Sequence, residues 1–241
     1  MKKYKMQIGL SIILALLFIS AMVFFNNFVV INGEVYDKNA REVNVDLLLK
    51  KNPSLKNISY FNNLESLGVF SVDSETLEGM PYIETIGSLA IYCSDISNAK
   101  GVNIQRGIKN LHLFETQINV EGIVLDQVTS LDLISCKIEN FHKLNALPSL
   151  INLQIYQGEF EGVIFNEGEY ILENSTVFED FDTIKYFELK GFKINDISGF
   201  INMDSLECLY IDKDSLDKSQ IEQLKNNKIK ISFDYIKKSW M

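Results

Sequence analysis

The stretch IKNLHLFETQI, residues 108–118, contains a pattern that recurs along most of the chain. Ile108, Leu111 and Leu113 follow the order apolar-x-x-apolar-x-apolar. Six other segments share this order: LESLGV (64–69), IGSLAI (86–91), VTSLDL (128–133), LINLQI (150–155), IKYFEL (184–189) and LECLYI (206–211). Successive copies are 20 or 22 residues apart, except for one gap of 34 residues. A repeat of this length predicts a solenoid built from similar units.

The last two apolar residues of each pattern, such as Leu111 and Leu113, should point the same way from a short strand, because side chains alternate along a strand. A single unit of this size cannot bury its apolar face, so the units must stack and pair their strands in parallel. The sequence therefore predicts an α/β fold, a leucine-rich-repeat solenoid with a parallel β-sheet on its concave face. Runs rich in β-branched residues on the far side of the repeats favour short extended segments there rather than full helices, at 78–83, 100–104, 121–125 and 161–165.

Two segments carry a closer resemblance. The stretches CKIENFHKLNALPSLINLQI (136–155) and FKINDISGFINMDSLECLYI (192–211) resemble the 22-residue repeats of internalin-type bacterial surface proteins. The stretch INGEVYDKNAREVNV (31–45) is similar to the lead-in before the first repeat of such proteins, and it predicts a first strand at Val43 and Val45. The resemblance implies a bacterial cell-surface protein that binds another protein. The Asn that follows the strand in the family is missing here, so a continuous Asn ladder is not expected.

The pattern divides the chain into five parts. We expect a short basic cytoplasmic segment over 1–7, an apolar segment over 8–31, an N-terminal lead-in and cap over 32–63, repeats over 64–214, and a C-terminal cap over 215–241. The 34-residue gap predicts one degenerate or shortened repeat around Tyr170–Leu172. The stretch 215–233 predicts a helix starting near Ser215 and then a last strand that covers the end of the solenoid.

The N-terminus predicts a location. Lys2, Lys3 and Lys5 precede Ile8–Phe25, a run of 18 residues without a charge. A run of about this length meets the requirement for a transmembrane helix, and the preceding lysines favour a cytoplasmic N-terminus. A cleaved signal peptide is the main alternative, and a buried helix of the globular domain is a third. The first two interpretations place residues 32–241 outside the cytoplasm, either as the outer domain of a single-pass membrane protein or as a secreted protein.

Composition excludes several classes of function. A net charge of −9 disfavours broad contact with nucleic acid. Cys93, Cys136 and Cys208 are far apart and lack the spacing of a zinc site or a disulfide framework, so we expect them to be buried or half-buried apolar residues. No motif of a known catalytic or phosphate-binding site occurs. We expect no enzymatic activity, no cofactor, no metal and no small-molecule substrate.

The concave face is the candidate binding surface. Pleating should place two residues of each repeat on that face, namely the one between the paired apolar residues and the one after them. The predicted partner-binding residues are Phe70, Tyr92, His112, Phe114, Asp132, Ile134, Gln154 and Tyr156. His112 is expected to be a solvated surface residue. The aromatic residues either contact a partner protein or only fill the corner after each strand, and the sequence leaves both roles open.

Two functions of different kinds follow. The first is an extracytoplasmic protein whose concave face binds a host protein, a cell-envelope component or a second copy of itself. The second is a structural subunit of a membrane complex that uses its N-terminal helix and its repeats as a scaffold.

Overall fold

The computed structural model describes residues 2–234, without the side chains of residues 2–13 and 15, and its dominant feature is a set of short strands. In chain order they are β1 Phe28–Ile31, β2 Glu34–Asp37, β3 Glu42–Asp46, β4 Ser66–Phe70, β5 Ser88–Tyr92, β6 Asp95–Ile96, β7 Asn110–Phe114, β8 Gln117–Asn119, β9 Ser130–Glu139, β10 Asn152–Glu159, β11 Val163–Asn166, β12 Glu169–Leu172, β13 Tyr186–Lys190, β14 Phe192–Ile194, β15 Cys208–Ile211 and β16 Lys230–Ser232.

Nine of these strands form the continuous path of an eleven-stranded parallel sheet in the described chain, and the short strands β6 and β8 pair beside it. The order of the nine across the sheet is β3, β4, β5, β7, β9, β10, β13, β15 and β16, so neighbours in space follow the order of the repeats. The register keeps equivalent positions level, with Leu89 beside Leu111 and Leu111 beside Leu131. These leucines are fully buried. The predicted leucine-rich-repeat solenoid with a parallel sheet is confirmed.

The lead-in has the predicted first strand. Val43 and Val45 lie in β3, where they pair with Leu67 and Val69 of the first repeat and point into the core. Before it, β1 and β2 form an antiparallel hairpin. Burial of Val29 and Ile31 joins this hairpin to the core and closes the first end of the solenoid.

Helix α1, Lys2–Asn27, precedes this hairpin. The side chains of residues 2–13 and 15, which form a large part of the predicted membrane span, lie outside the described part of the chain. No helix in the part that is described combines the length and the apolar character needed to cross a membrane.

The convex side is made of short helical turns in most repeats. The α-helices are α2 Ser74–Glu78, α3 Lys100–Asn103 and α4 Ser198–Asn202, and 3-10 turns span Lys56–Tyr60, Phe141–Ala146 and Ser175–Phe178. Extended convex segments were predicted from β-branched content, and this holds for β11 but is wrong for α3. Gly101 lies in α3 against Leu77 of α2, an approach too close for any Cβ, so packing between the turns rather than propensity decides the conformation there.

The long gap does not contain an additional repeat. Leu153 of β10 pairs directly with Phe187 of β13, so no strand of the concave sheet lies between them. Instead β11 and β12 form an antiparallel hairpin outside the concave sheet. Strand β12 pairs in parallel with β14 of the next repeat. The prediction of a degenerate repeat around Tyr170–Leu172 is therefore wrong, because those residues form a strand of an inserted hairpin.

Phenylalanines fill the wide interior behind the hairpin. Phe178 is at the centre, with its ring centroid 4.8 Å from that of Phe187, 5.3 Å from that of Phe200 and 5.7 Å from that of Phe141. All four side chains are fully buried. Aromatic contacts of this kind stabilise beyond simple area burial by about 0.5–1.5 kcal/mol per pair, which suits a repeat that must enclose a larger volume.

The last strand and its helix close the other end. Helix α5, Lys218–Asn226, starts after Asp217, whose side chain accepts a hydrogen bond from the backbone N–H of Gln220 at 2.8 Å. Strand β16 then pairs in parallel with β15. The helix begins three residues after Ser215, the predicted start, because Asp217 with Gln220 forms the capping box.

Candidate functional site on the concave face

Parallel pairing in register gathers the predicted residues into two rows on the concave face. We call Phe70, Tyr92, Phe114, Ile134 and Tyr156 the aromatic row, and His112, Asp132, Gln154 and Glu188 the polar row. Each residue of a row is the direct partner of the next one across the sheet. The structure therefore brings all eight predicted residues together and adds Glu188 to them.

The aromatic row contains three parallel rings. The ring centroids of Phe70 and Tyr92 are 4.2 Å apart, those of Tyr92 and Phe114 are 4.7 Å apart, and both pairs are within 7° of coplanar. These spacings match the distance between neighbouring strands, so the sheet itself sets the stack. All five residues of the row are half-buried, and burial raises the pKa of the Tyr92 hydroxyl. The row is a continuous stripe with one edge in the protein and one edge in solvent.

A sharp corner follows each residue of this row. The next residue in the chain has a positive φ in six consecutive repeats, at Ser71, Cys93, Glu115, Ser135, Gln157 and Gly191, with values from 47° to 76°. Only the last of these is a glycine, although positive φ is uncommon for other residues. The stacked rings of Phe70, Tyr92 and Phe114 therefore lie where β4, β5 and β7 end.

Small polar side chains stabilise the turn after this corner. Ser94 Oγ donates to the Tyr92 carbonyl at 2.7 Å and accepts from the Val72 N–H at 3.0 Å. Thr116 Oγ1 donates to the Phe114 carbonyl at 2.9 Å, and Cys136 Sγ to the Leu113 carbonyl at 3.2 Å. A series of hydroxyl and thiol groups thus occupies the position after the strand where no continuous Asn ladder was expected. Burial raises the pKa of the Cys136 thiol to about 11, so this group stays protonated and structural.

The polar row is buried, in contrast to the prediction for His112. His112 Nδ1 lies 2.8 Å from Asp132 Oδ2, and the two residues are 6% and 0% exposed. The prediction that His112 is a solvated surface residue is wrong. The pleat does turn it away from the core, but the Phe114 ring, 6.4 Å away between centroids, and Asp132 on the next strand pack against it.

Beyond Gln154 the face becomes charged. The Tyr156 hydroxyl donates to the Glu188 carboxylate, and Glu188 is fully buried. Lys190, level with Tyr156, donates to the Ile211 carbonyl at 2.8 Å and lies 3.7 Å from an Asp212 oxygen. Sequence reasoning left Glu188 and Lys190 out of the site, although continuing the strand alignment across the 34-residue gap places both in these rows.

No group of three or more His, Cys, Asp and Glu side chains that could hold a metal ion occurs within the described chain. Tyr210 pairs with Glu188, the last residue of the polar row, on the neighbouring strand. Burial raises the pKa of the Tyr210 hydroxyl to about 12, so this group stays protonated.

Comparisons with known proteins find similarity in structure only. No protein-family model and no curated protein matches the sequence. An internalin (InlF) of Listeria monocytogenes has 16% sequence identity and a TM-score of 0.44, over 83% of this chain and 65% of that one. A leucine-rich-repeat protein of Leptospira interrogans has 13% identity and a TM-score of 0.41, over 74% of this chain and 57% of that one. Internalin C2 of Listeria monocytogenes has 18% identity and a TM-score of 0.33, over 67% and 77%. This chain thus spans less than two thirds of the length of the first two.

Proposed function

We propose that this chain is a binding protein, not an enzyme, and that its concave face contacts another protein. The observation that carries the proposal is the aromatic row, in which Phe70, Tyr92 and Phe114 are stacked and half-exposed. Rigid aromatic side chains offer a large contact area and lose little entropy when a partner covers them, and they are enriched at the centres of protein interfaces. The body of the protein is acidic, which favours a basic partner surface.

The alternative role for the row is to support the fold. Two serine substitutions, Tyr92→Ser and Phe114→Ser, distinguish the roles when their melting is compared with that of Leu111→Ala. Loss of one stacked pair should cost about 0.5–1.5 kcal/mol, whereas truncation of the fully buried Leu111 should cost about 2–5 kcal/mol. Serine variants as unstable as Leu111→Ala would contradict the binding role.

Binding itself is tested with the same variants. The immobilised protein is exposed to cell-surface and envelope fractions, and a captured protein is then titrated against the wild type, Phe114→Ser and a control, Tyr82→Ser. Tyr82 is exposed and lies outside both rows. We expect Phe114→Ser to weaken binding by at least about tenfold, the effect of an interface hot spot, and Tyr82→Ser to have no effect. Binding that requires residues 1–31 but not Phe114 would favour the scaffold subunit instead.

We further propose that residues 32–241 act outside the cytoplasm. The support is the sequence, in which Lys2, Lys3 and Lys5 precede the uncharged run Ile8–Phe25. Protease added to intact cells should remove the repeats, and the N-terminal sequence of the mature protein distinguishes an uncleaved anchor from a cleaved signal peptide. Full protection from protease in intact cells, with digestion after lysis, would contradict this location.

A further inference from the structure

Two adjoining depressions lie beside the corner at which the aromatic row ends. The first has a volume of about 390 Å³, and its lining includes Gln157, the residue after Tyr156. The second has a volume of about 350 Å³ and reaches the start of α5. The two depressions form one continuous surface, which we call the acidic groove, because they share the lining residues Lys193, Asp214 and Ser215.

The charge of the groove is negative. Among the described residues, four carboxylates and one lysine line it, namely Glu169, Asp212, Asp214, Asp217 and Lys193. Asp212 and Asp217 already accept hydrogen bonds from backbone N–H groups of the fold. Glu169 and Asp214 are exposed, so their charge faces solvent and favours a cationic ligand.

Ser215 presents a polar group that the described fold leaves unsatisfied. The residue is 4% exposed, and its Oγ atom has no hydrogen-bond partner among the described residues. Its backbone groups are both in use, since its N–H donates to the Asp212 carbonyl at 3.2 Å and its carbonyl accepts from the Ile194 N–H at 3.0 Å. The hydroxyl is therefore the polar group that Ser215 presents to the groove. A buried hydroxyl without a partner is costly, which favours a ligand that supplies one.

The walls of the groove fit a side chain that is apolar along its length and cationic at its end. Tyr170, Phe192 and Leu216 lie in the lining beside the carboxylates. The Tyr170 ring is half-buried, and an aromatic ring of this kind stacks on a guanidinium. A guanidinium also has five N–H donors, enough for the Ser215 hydroxyl and for a carboxylate at the same time. An arginine side chain combines these properties.

We propose that the acidic groove binds an arginine side chain of the partner protein, with its guanidinium on the Ser215 hydroxyl and the Asp214 carboxylate. The inference deepens the proposed function and rests on it, since it specifies which basic group the partner presents. The aromatic row then supplies apolar contact, and the groove beyond Tyr156 supplies recognition of charge.

The test uses the full chain and a small probe. N-acetyl-arginine amide represents the arginine side chain, and N-acetyl-citrulline amide has nearly the same shape without the charge. Each compound is titrated into isotope-labelled protein, and the NMR signal of the Ile194 N–H, which donates to the Ser215 carbonyl, reports binding. We expect saturable shifts with the arginine compound and binding of the citrulline compound that is weaker by at least about tenfold.

Three variants locate the bound probe. Ser215→Ala should weaken binding of the arginine compound by at least about fivefold, because it removes the acceptor of a charged donor. Asp214→Asn should weaken it by about two- to fivefold, the effect of one exposed ion pair. The matched control Asp204→Asn removes the same charge from an exposed side chain outside the groove and should leave binding unchanged.

Thermal melting without the probe gives an independent check. Ser215→Ala should melt at the temperature of the wild type or higher, because alanine removes a buried hydroxyl that has no partner among the described residues. A lower melting temperature together with unchanged binding would show that the hydroxyl serves the fold, and it would overturn the inference. Equal effects of Asp214→Asn and Asp204→Asn, or equal binding of the two compounds, would also overturn it.

The titration requires no partner protein, so its failure differs from failure of the proposed function. If neither compound binds while Phe114→Ser still weakens binding of the captured partner, the concave face remains the interface. Only the arginine site in the groove is then rejected.

Discussion

His112 Nδ1 lies 2.8 Å from Asp132 Oδ2, and His142 Nδ1 lies 2.8 Å from Glu161 Oε2. The two contacts have the same length, but they differ in how far solvent reaches them. The side chains of the first pair are 7% and 0% exposed, and those of the second pair are 45% and 44% exposed. One molecule thus contains a buried and an exposed version of the same contact.

These pairs predict unequal effects of removing the imidazole. His112→Ala should lower the free energy of unfolding by about 1–3 kcal/mol, because it takes a hydrogen-bond partner from a carboxylate that water cannot reach. His142→Ala should change it by less than about 0.5 kcal/mol, since water replaces the lost contact. Urea denaturation at neutral pH measures both, and similar losses in the two variants would show that burial does not govern the first contact.

We expect that the fold does not tolerate an added methyl group at Gly199. It lies buried in α4, and a Cβ built there would collide with the backbone carbonyl of Ser175. Gly199→Ala should therefore destabilise the protein by about 1–3 kcal/mol or more. The control is Gly87→Ala, whose Cβ would be 3.9 Å from its nearest neighbour, the Glu65 carbonyl. The control should be neutral or slightly stabilising, and thermal melting of both variants checks the contrast.

We expect the protein to lose stability in acid when the Asp196 carboxylate is protonated. Its carboxylate accepts hydrogen bonds from the N–H and hydroxyl groups of Ser175 and Ser198, at 2.8–3.0 Å. Burial by itself raises the pKa of Asp196, but these hydrogen bonds outweigh it and hold the pKa below its ordinary value. The contribution is therefore complete above the unfolded pKa and disappears as the pH falls through the lower folded pKa.

The variant Asp196→Asn isolates this contribution. It should be less stable than the wild type by about 1–3 kcal/mol at pH 7, and the difference should shrink below about pH 4, where the unfolded carboxyl takes up its proton. Urea denaturation from pH 7 to pH 3 follows the difference. A difference that stays constant over this range would mean that the charge of Asp196 does not stabilise the turn.

The cysteines predict one reactive thiol in the folded protein. Cys93 is exposed at the corner after Tyr92, whereas Cys136 and Cys208 are buried. The pKa of all three thiols is raised, that of Cys93 by desolvation and by its contact with Glu115, so access rather than acidity distinguishes Cys93. The expectation that all three are buried or half-buried is thus wrong for Cys93. A thiol reagent such as DTNB should label one group in the native state and three in denaturant, and Cys93→Ser should remove the native reaction. Rapid native labelling of two or more groups would contradict the described burial.

Strand positions could be predicted from the sequence because they depend on short-range alternation. In each repeat the pair of apolar residues fixed which side of the strand faces the core, and the structure agrees from Val43 to Ile211. Burial of His112 could not be predicted in this way. It depends on Phe114 and Asp132, and only the stacked register brings the second of these close.

The inserted hairpin could have been recognised from its turn. The stretch VIFNEGEYIL, residues 163–172, has strand-forming residues on either side of Glu167 and Gly168, which both have positive φ. A two-residue connection of this kind is typical of an antiparallel hairpin. The apolar residues alone could not show this, since alternation identifies a strand but not its partner.

The hairpin also shows how one repeat can grow without disturbing its neighbours. Its additional residues leave β10 and β13 directly paired in register, so the concave sheet runs on across the insertion. Longer connections between strands can therefore accumulate during evolution, or be introduced by design, without interrupting that sheet.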